Sequence, residues 1–95
     1  MPEPVSFLWD KGNERKNLEK HDVTQQETEE VFFDPRKKLL QSRFQSGKED
    51  RYLLLGQTKR RRLLFVVFTI RNKRIRVISA RDLKKKERPL YEEAT

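Results

Sequence analysis

The chain has no cysteine, one histidine and three glycines in 95 residues. Without thiols there is no disulfide framework and no thiolate metal site, so core packing alone must hold the fold. His21 has no histidine companion, and the acidic residues lack the spacing of a calcium loop, so no metal ligand set and no cofactor are implied. There is no glycine-rich loop to cradle a nucleotide phosphate. Ser6, Ser42, Ser46 and Ser79 lack the strand-turn-helix setting that would make one of them a nucleophile beside His21. The longest apolar run, Leu63 to Phe68, is far below the roughly 20 residues of a membrane span. The start, MPEPVSFLWD, has no basic stretch leading into an apolar one. A cytoplasmic protein with no membrane partner is therefore expected.

What the chain has in excess is positive charge. Lysine and arginine number 23 against 15 acidic residues, a net charge of +8, and such a balance in one small domain favours a polyanionic partner or an acidic protein. The distribution is uneven. Residues 1 to 34 carry a net −5, residues 35 to 58 a net +4 and residues 59 to 95 a net +9, while residues 71 to 88 alone hold +7. There is no internal repeat and no linker, so residues 1–95 are read as a single domain.

The local pattern predicts an α+β fold. A short extended segment falls around Phe7 to Trp9, and Asp10 can cap a helix reaching Lys20 or His21. Thr24 and Glu27 match a capping box, which predicts a second helix from Gln25 to Phe33, ended by Pro35. From Lys37 onward the period changes, and four strands of an antiparallel meander are predicted: Lys38 to Arg43, Arg51 to Gln57, Arg62 to Ile70 and Arg74 to Ala80. The IRNKR break between the last two reads as a hairpin. RLLFVVFTI is continuously apolar, as expected of a central strand covered on both faces. In the last strand Ile75 and Val77 take one face while Arg74, Arg76 and Ile78 take the other. After Arg81 a helical apolar stripe follows, with Asp82 as a possible cap. Pro89 must either stop that helix near Glu87 or lie in the first turn of a new one.

One reaction needs neither thiol nor metal. The 2′-hydroxyl of RNA attacks its own phosphodiester if a base removes the proton and cations stabilise the developing charge. Guanidinium groups bind phosphate oxygens two at a time and stay charged, which suits Arg76 and Arg81. For the base, Glu49, His21 and a lysine of the Lys84, Lys85, Lys86 cluster are candidates; crowding by like charges makes such a lysine easier to deprotonate.

The blocks FLWDKGNERKNLEKHDV, VFFDP, EDRYLLLGQT and RLLFVVFTIRNKRIRVISARDLKKKERPLYEE, in this order over about residues 6 to 94, resemble the BrnT toxins of type II toxin-antitoxin systems. The resemblance implies a RelE-like ribonuclease fold, an antiparallel sheet with two N-terminal helices and a C-terminal helix. It also implies a metal-independent RNase that inhibits translation. It further implies a BrnA-like antitoxin that joins the toxin in a hetero-oligomer and carries the contact with operator DNA. By position it transfers Lys20 and His21, Glu49 and Arg51, Arg76 and Arg81, and Glu87, Tyr91 and Glu92. Arg76, Arg81, Glu49, His21 and Tyr91 are thus the candidate catalytic residues. Lys20, Arg51, Arg62, Lys84, Lys85 and Lys86 are the candidate RNA contacts. The chain departs from the family pattern at Asp22, where glycine is frequent, at Leu83 and Lys84, and at Pro89.

Plainer roles stand beside these. His21 suits the end of a helix dipole, Trp9 and Tyr52 suit a core, and Lys59 to Arg62 suit a solvated loop. Arg76 on a strand can pair with Glu49 or Asp50. The alternatives to an RNase are a non-catalytic RNA- or DNA-binding module and a subunit whose basic face serves only to bind an antitoxin.

Overall fold

In the computed structural model the described residues are 6–9, 11–46 and 49–93, with side chains described outside 11–14, 41–46 and 49–50. Helix α1 spans Lys11–His21 and α2 spans Gln25–Phe32. Strands β1 (Lys38–Ser46), β2 (Glu49–Gln57), β3 (Leu63–Arg71) and β4 (Arg74–Asp82) follow, then a 3-10 turn at Lys85–Glu87 and helix α3 at Arg88–Glu92. The strands form one antiparallel sheet in sequence order. Asp10, the expected cap of α1, lies outside the described residues.

The two N-terminal helices are joined by a turn whose chemistry is visible in the sequence. Helix α1 places Lys20 and His21 in its last turn, where positive charge meets the negative end of the dipole. Asp22 then adopts φ 53°, the left-handed region, and donates its N–H to the Leu18 carbonyl at 3.0 Å. The capping box of α2 forms in full: the Glu27 N–H donates to Thr24 Oγ1 at 3.0 Å and the Thr24 N–H donates to Glu27 Oε1 at 3.0 Å. Phe33 closes α2 with its N–H on the Glu30 carbonyl at 3.0 Å.

The helices cover one face of the sheet, α1 against β4 and α2 against β2 and β3. Leu54, Leu64, Val66, Phe68, Ile75, Val77 and Ala80 meet Val23, Val31 and Phe32 in the core. Edge-to-face contacts link Phe7, Phe32 and Phe68 at 5.1 Å each, and Tyr52 stacks on Phe68 at 5.4 Å. Gly56 lets α2 approach closely, since a Cβ there would strike the Val31 side chain and lie 3.0 Å from the Val31 carbonyl oxygen.

Two devices protect the outer edge of β4. Ile75 exchanges backbone hydrogen bonds with Ser6 and Leu8 at 2.8 Å, in a parallel bridge centred on Phe7. Further along, the Ala80 N–H donates to Asn17 Oδ1 at 3.1 Å, so a helix side chain replaces a strand partner. The Asn72–Lys73 turn between β3 and β4 has φ of 50° and 62°, the geometry that matches strand twist in a two-residue hairpin.

The expectation for β3 is corrected in one respect. Burial alternates along it, with Leu64, Val66 and Phe68 buried and Leu63, Phe65 and Val67 only partly so. The helices cover a single face, and on the other Leu55 and Thr69 are buried while Leu63, Phe65 and Val67 are half-buried. Asp82 also ends β4 and does not cap a helix. Pro89 lies at the start of α3, where a missing N–H costs nothing in the helix ladder.

Candidate RNA-processing site

The register of β4 decides which cations share a surface. Thr69 faces Arg76, Val67 faces Ser79 and Phe65 faces Arg81, with a bulge after Val77 that restores the alternation. Ile75, Val77 and Ala80 take the helix side, so Arg76 and Arg81 lie on the open face. Arg51 joins them by its alternation with the buried Leu54. Four residues, one of them the bulge, separate the two β4 arginines, roughly 15 Å of strand. They therefore mark two ends of one surface.

Toward the Arg81 end of the sheet lie cations from separate segments, His21 and Lys20 from the helix side and three lysines from the stretch after β4. His21, half-buried, ends α1 toward the end of β4, where hydrogen bonds from Arg62 lower the Asp82 carboxyl. Lys20 is exposed next to it, and Lys84, Lys85 and Lys86 are exposed just beyond β4. Arg81 lies over the Phe65 ring at 4.2 Å from its centroid. Its Nη1 and Nη2 donate to the two Glu87 oxygens at 2.9 Å each, and Nη1 also donates to the Asp82 carbonyl at 3.0 Å. The hydrogen bonds to Glu87 hold the Arg81 guanidinium above its ordinary pKa despite partial burial. In return the Arg81 bonds lower the Glu87 carboxyl to about 2.

Arg76 is half-buried and has a partner of its own. Glu49 begins β2 opposite Ser46, so its backbone lies toward the hairpin end of the sheet, with Arg76 and away from Arg81. Two of the sequence-predicted residues have engagements elsewhere. Tyr91 donates its hydroxyl to Asp34 Oδ2 at 2.7 Å. Asp34 also accepts the Gln57 N–H at 2.8 Å and the Arg36 N–H at 2.9 Å. Burial first and the Asp34 carboxylate second push the Tyr91 phenol up to about 12.

Arg62 is the centre of a clasp on the helix side. Nε and Nη2 donate to Asp82 at 2.6 and 3.0 Å. Nη1 donates to the Asp22 carbonyl at 2.7 Å and to Glu27 Oε2 at 3.1 Å, and Nη2 donates to the His21 carbonyl at 3.0 Å. Asp82 foremost, then Glu27, raises the Arg62 guanidinium further above its ordinary range. Burial raises the Glu27 carboxyl, yet the Thr24 N–H and Arg62 outweigh it and leave it lowered. Sequence reading missed Glu87 as the direct partner of Arg81, although the six-residue separation was visible as an arginine and a glutamate flanking a lysine run. It also missed Asp34 as the anchor of Tyr91, for which the VFFDP block was the only signal.

Trp9 packs against the core and donates Nε1 to Glu29 at 2.7 Å. Among the described residues no group of three His, Asp or Glu is placed to hold a metal ion, and no helix is long and apolar enough to cross a membrane.

A family model described as "Ribonuclease toxin, BrnT, of type II toxin-antitoxin system" matches residues 9–87. A crystal structure of the Brucella abortus ribonuclease toxin BrnT shares the fold with a TM-score of 0.62 and 20% identity, covering 86% of this chain and 100% of that one. No curated protein matches the chain. The α+β meander of that toxin thus recurs here, and the family match extends over every element from the first helix to the turn that carries Glu87. The chain belongs to the BrnT family of ribonuclease toxins of type II toxin-antitoxin systems, and an antitoxin is its cognate partner.

Proposed function

We propose that this toxin cleaves RNA without a metal ion, on the open face of the sheet. The observation that carries the reading is that β4 directs Arg76 and Arg81 to the face the helices leave uncovered, with Lys84, Lys85 and Lys86 continuing the positive surface past the strand end. Because the arginines stand at opposite ends of that face, they grip different phosphates of one strand. Arg81 faces the scissile phosphate, and Arg76 and Arg51 hold the flanking backbone.

At Arg81 a base takes the proton of the 2′-hydroxyl, whose oxygen forms a new bond to phosphorus. The bond to the 5′-oxygen breaks, leaving a 2′,3′-cyclic phosphate, and the departing oxygen takes up a proton. The guanidinium and the nearby ammonium groups stabilise the charge that builds on the phosphorane oxygens. A lysine of the 84 to 86 group, on the stretch that follows Arg81, is the favoured base, with His21, which reaches the same sheet end from the helix side, as its competitor. Glu49 belongs to the Arg76 end. Tyr91 acts through position, pinning α3 to Asp34, and Arg62 acts by closing the helix side. A BrnA-like antitoxin would cover this face and carry the contact to operator DNA, and cleavage of cellular RNA in the cytoplasm would account for arrested translation.

Induction of the chain in bacteria should arrest growth, and the purified protein should degrade RNA in EDTA. The folded Arg76→Ala and Arg81→Ala variants should lose at least about tenfold in cleavage rate, consistent with removal of charge-stabilising donors. Equal toxicity of the variants and the parent would sink the catalytic assignment. Binding of RNA without breakdown would point to the non-catalytic module.

A further inference from the structure

Arg81 is held from two sides by the sheet itself. The Phe65 ring, its cross-strand neighbour, lies beneath the guanidinium at 4.2 Å, and the Asp82 carbonyl accepts from Nη1 at 3.0 Å. Neither contact depends on what lies against the outer edge of the guanidinium. That edge is closed by Glu87, with both oxygens at 2.9 Å.

Glu87 reaches Arg81 from a segment with little other attachment. Leu83 before it is buried, and Tyr91 after it is tied to Asp34 at 2.7 Å. Between these anchors the Lys85–Glu87 turn is kept in shape by its own bonds, the Glu87 N–H on the Lys84 carbonyl at 2.8 Å and the Lys84 N–H on Glu87 Oε1 at 2.8 Å. Lys84, Lys85, Lys86 and Arg88 around it are exposed. A single carboxylate is thus turned inward among cations, onto the arginine best placed to receive a phosphate.

A carboxylate and a phosphodiester present an arginine with the same object, two anionic oxygens that accept parallel N–H bonds. Both cannot occupy one edge. We propose that Glu87 is an internal stand-in for the RNA phosphate, latching Arg81 in the free toxin until a phosphodiester displaces it. The inference rests on the open face being the RNA site. Displacement needs a rotation of the Glu87 side chain that gives up the bond from the Lys84 N–H, while Phe65 and Asp82 keep the guanidinium in position. It also releases the charge of Lys84 from the carboxylate it now faces, so the arriving strand meets a stronger positive field.

The test is equilibrium binding of a fluorescent 2′-O-methyl oligoribonucleotide, which has no free 2′-hydroxyl to attack, to the full chain. Glu87→Gln keeps the shape but removes the competing charge, and should bind about tenfold more tightly, the scale of one charge-assisted contact. Its plot of log affinity against log salt should be steeper by about 0.7, one further phosphate neutralised on a single strand. The gain should vanish in the Arg81→Ala/Glu87→Gln double variant. In the unmodified chain the carboxyl carbon signal of Glu87 should move as the oligonucleotide saturates.

If the parent binds RNA through Arg76 while Glu87→Gln binds equally or more weakly, the carboxylate is a strut for Arg81 and the latch is refuted alone. An unmoved Glu87 signal at saturation refutes it in the same way, whatever the variant's stability. If neither parent nor variant binds RNA at low salt, the RNA site itself fails and the latch fails with it.

Discussion

Two arginines near the same end of the sheet are used in opposite ways. Arg62 sits on the helix side, a quarter exposed, and its donors are taken by groups from the α1–α2 turn, α2 and the end of β4. Arg81 lies on the open side with comparable exposure, yet its outer edge meets one carboxylate from its own stretch of chain. The first cannot move without unpairing three elements. The second can exchange partners with the sheet undisturbed. The contrast shows that a basic residue's role is set by how many separate elements supply its acceptors.

Breaking the clasp should produce the largest effect. Arg62→Ala leaves the Asp22 and His21 carbonyls and two carboxylates without their donor, and should lower unfolding free energy by about 2–3 kcal/mol in urea titrations, at the low end for a partly buried pair. Arg81→Ala unpairs a single half-buried carboxylate and should cost less, about 1–2 kcal/mol. Equal destabilisation by both would erase the distinction between the two arginines.

Next in size is Gly56→Ala. The added methyl meets Val31 beneath α2, and overpacking there should cost about 2 kcal/mol. RNA affinity per folded molecule should be unchanged, since the position belongs to the helix side; a lost affinity at full folding would mean that the two faces are coupled.

The Glu87 pair adds a pH signature. Its carboxyl titrates near 2 in the folded chain against an ordinary 4.5, so its stabilisation is complete above about 4.5 and fades as pH falls toward 2. The stability difference between the parent and Glu87→Gln should therefore be present at pH 7 and shrink through that interval. A difference independent of pH would show that the pair is not what separates them.

Asp22→Gly is the finest probe. Asp22 holds a left-handed φ of 53°, which glycine adopts without a Cβ penalty, so the change should stabilise the chain by at most about 1 kcal/mol in the same urea titration. A destabilised Asp22→Gly would mean that the Asp22 side chain supports the clasp.

Much of the architecture was legible from local signals. The Thr24 and Glu27 spacing specified the start of α2, Pro35 its end, and the change to strand periodicity after Lys37 all four strands. The hairpin at Asn72–Lys73 followed from the polar break between two apolar runs. Arg76 opposite Ile75 and Val77 followed from alternation alone. The single-sided cover of β3 was not legible, because RLLFVVFTI is equally apolar at both parities and only the placement of α1 and α2 distinguishes them. The separation of the two arginines was hidden as well. Arg76 and Arg81 look adjacent in a basic run, but a strand is extended, and the five positions from one to the other cover more than half of β4.

By itself the sequence determined the elements, their order, the face of β4 that bears arginine and the positive field around it, since these depend on neighbours within a few residues. Which cations are locked and which are available was decided only by tertiary structure. Arg62 meets acceptors 20 to 41 residues away, Tyr91 meets Asp34 across 57, and no local pattern encodes which distant carboxylate will close on a given guanidinium. Charge is a property of composition, whereas its availability is a property of packing.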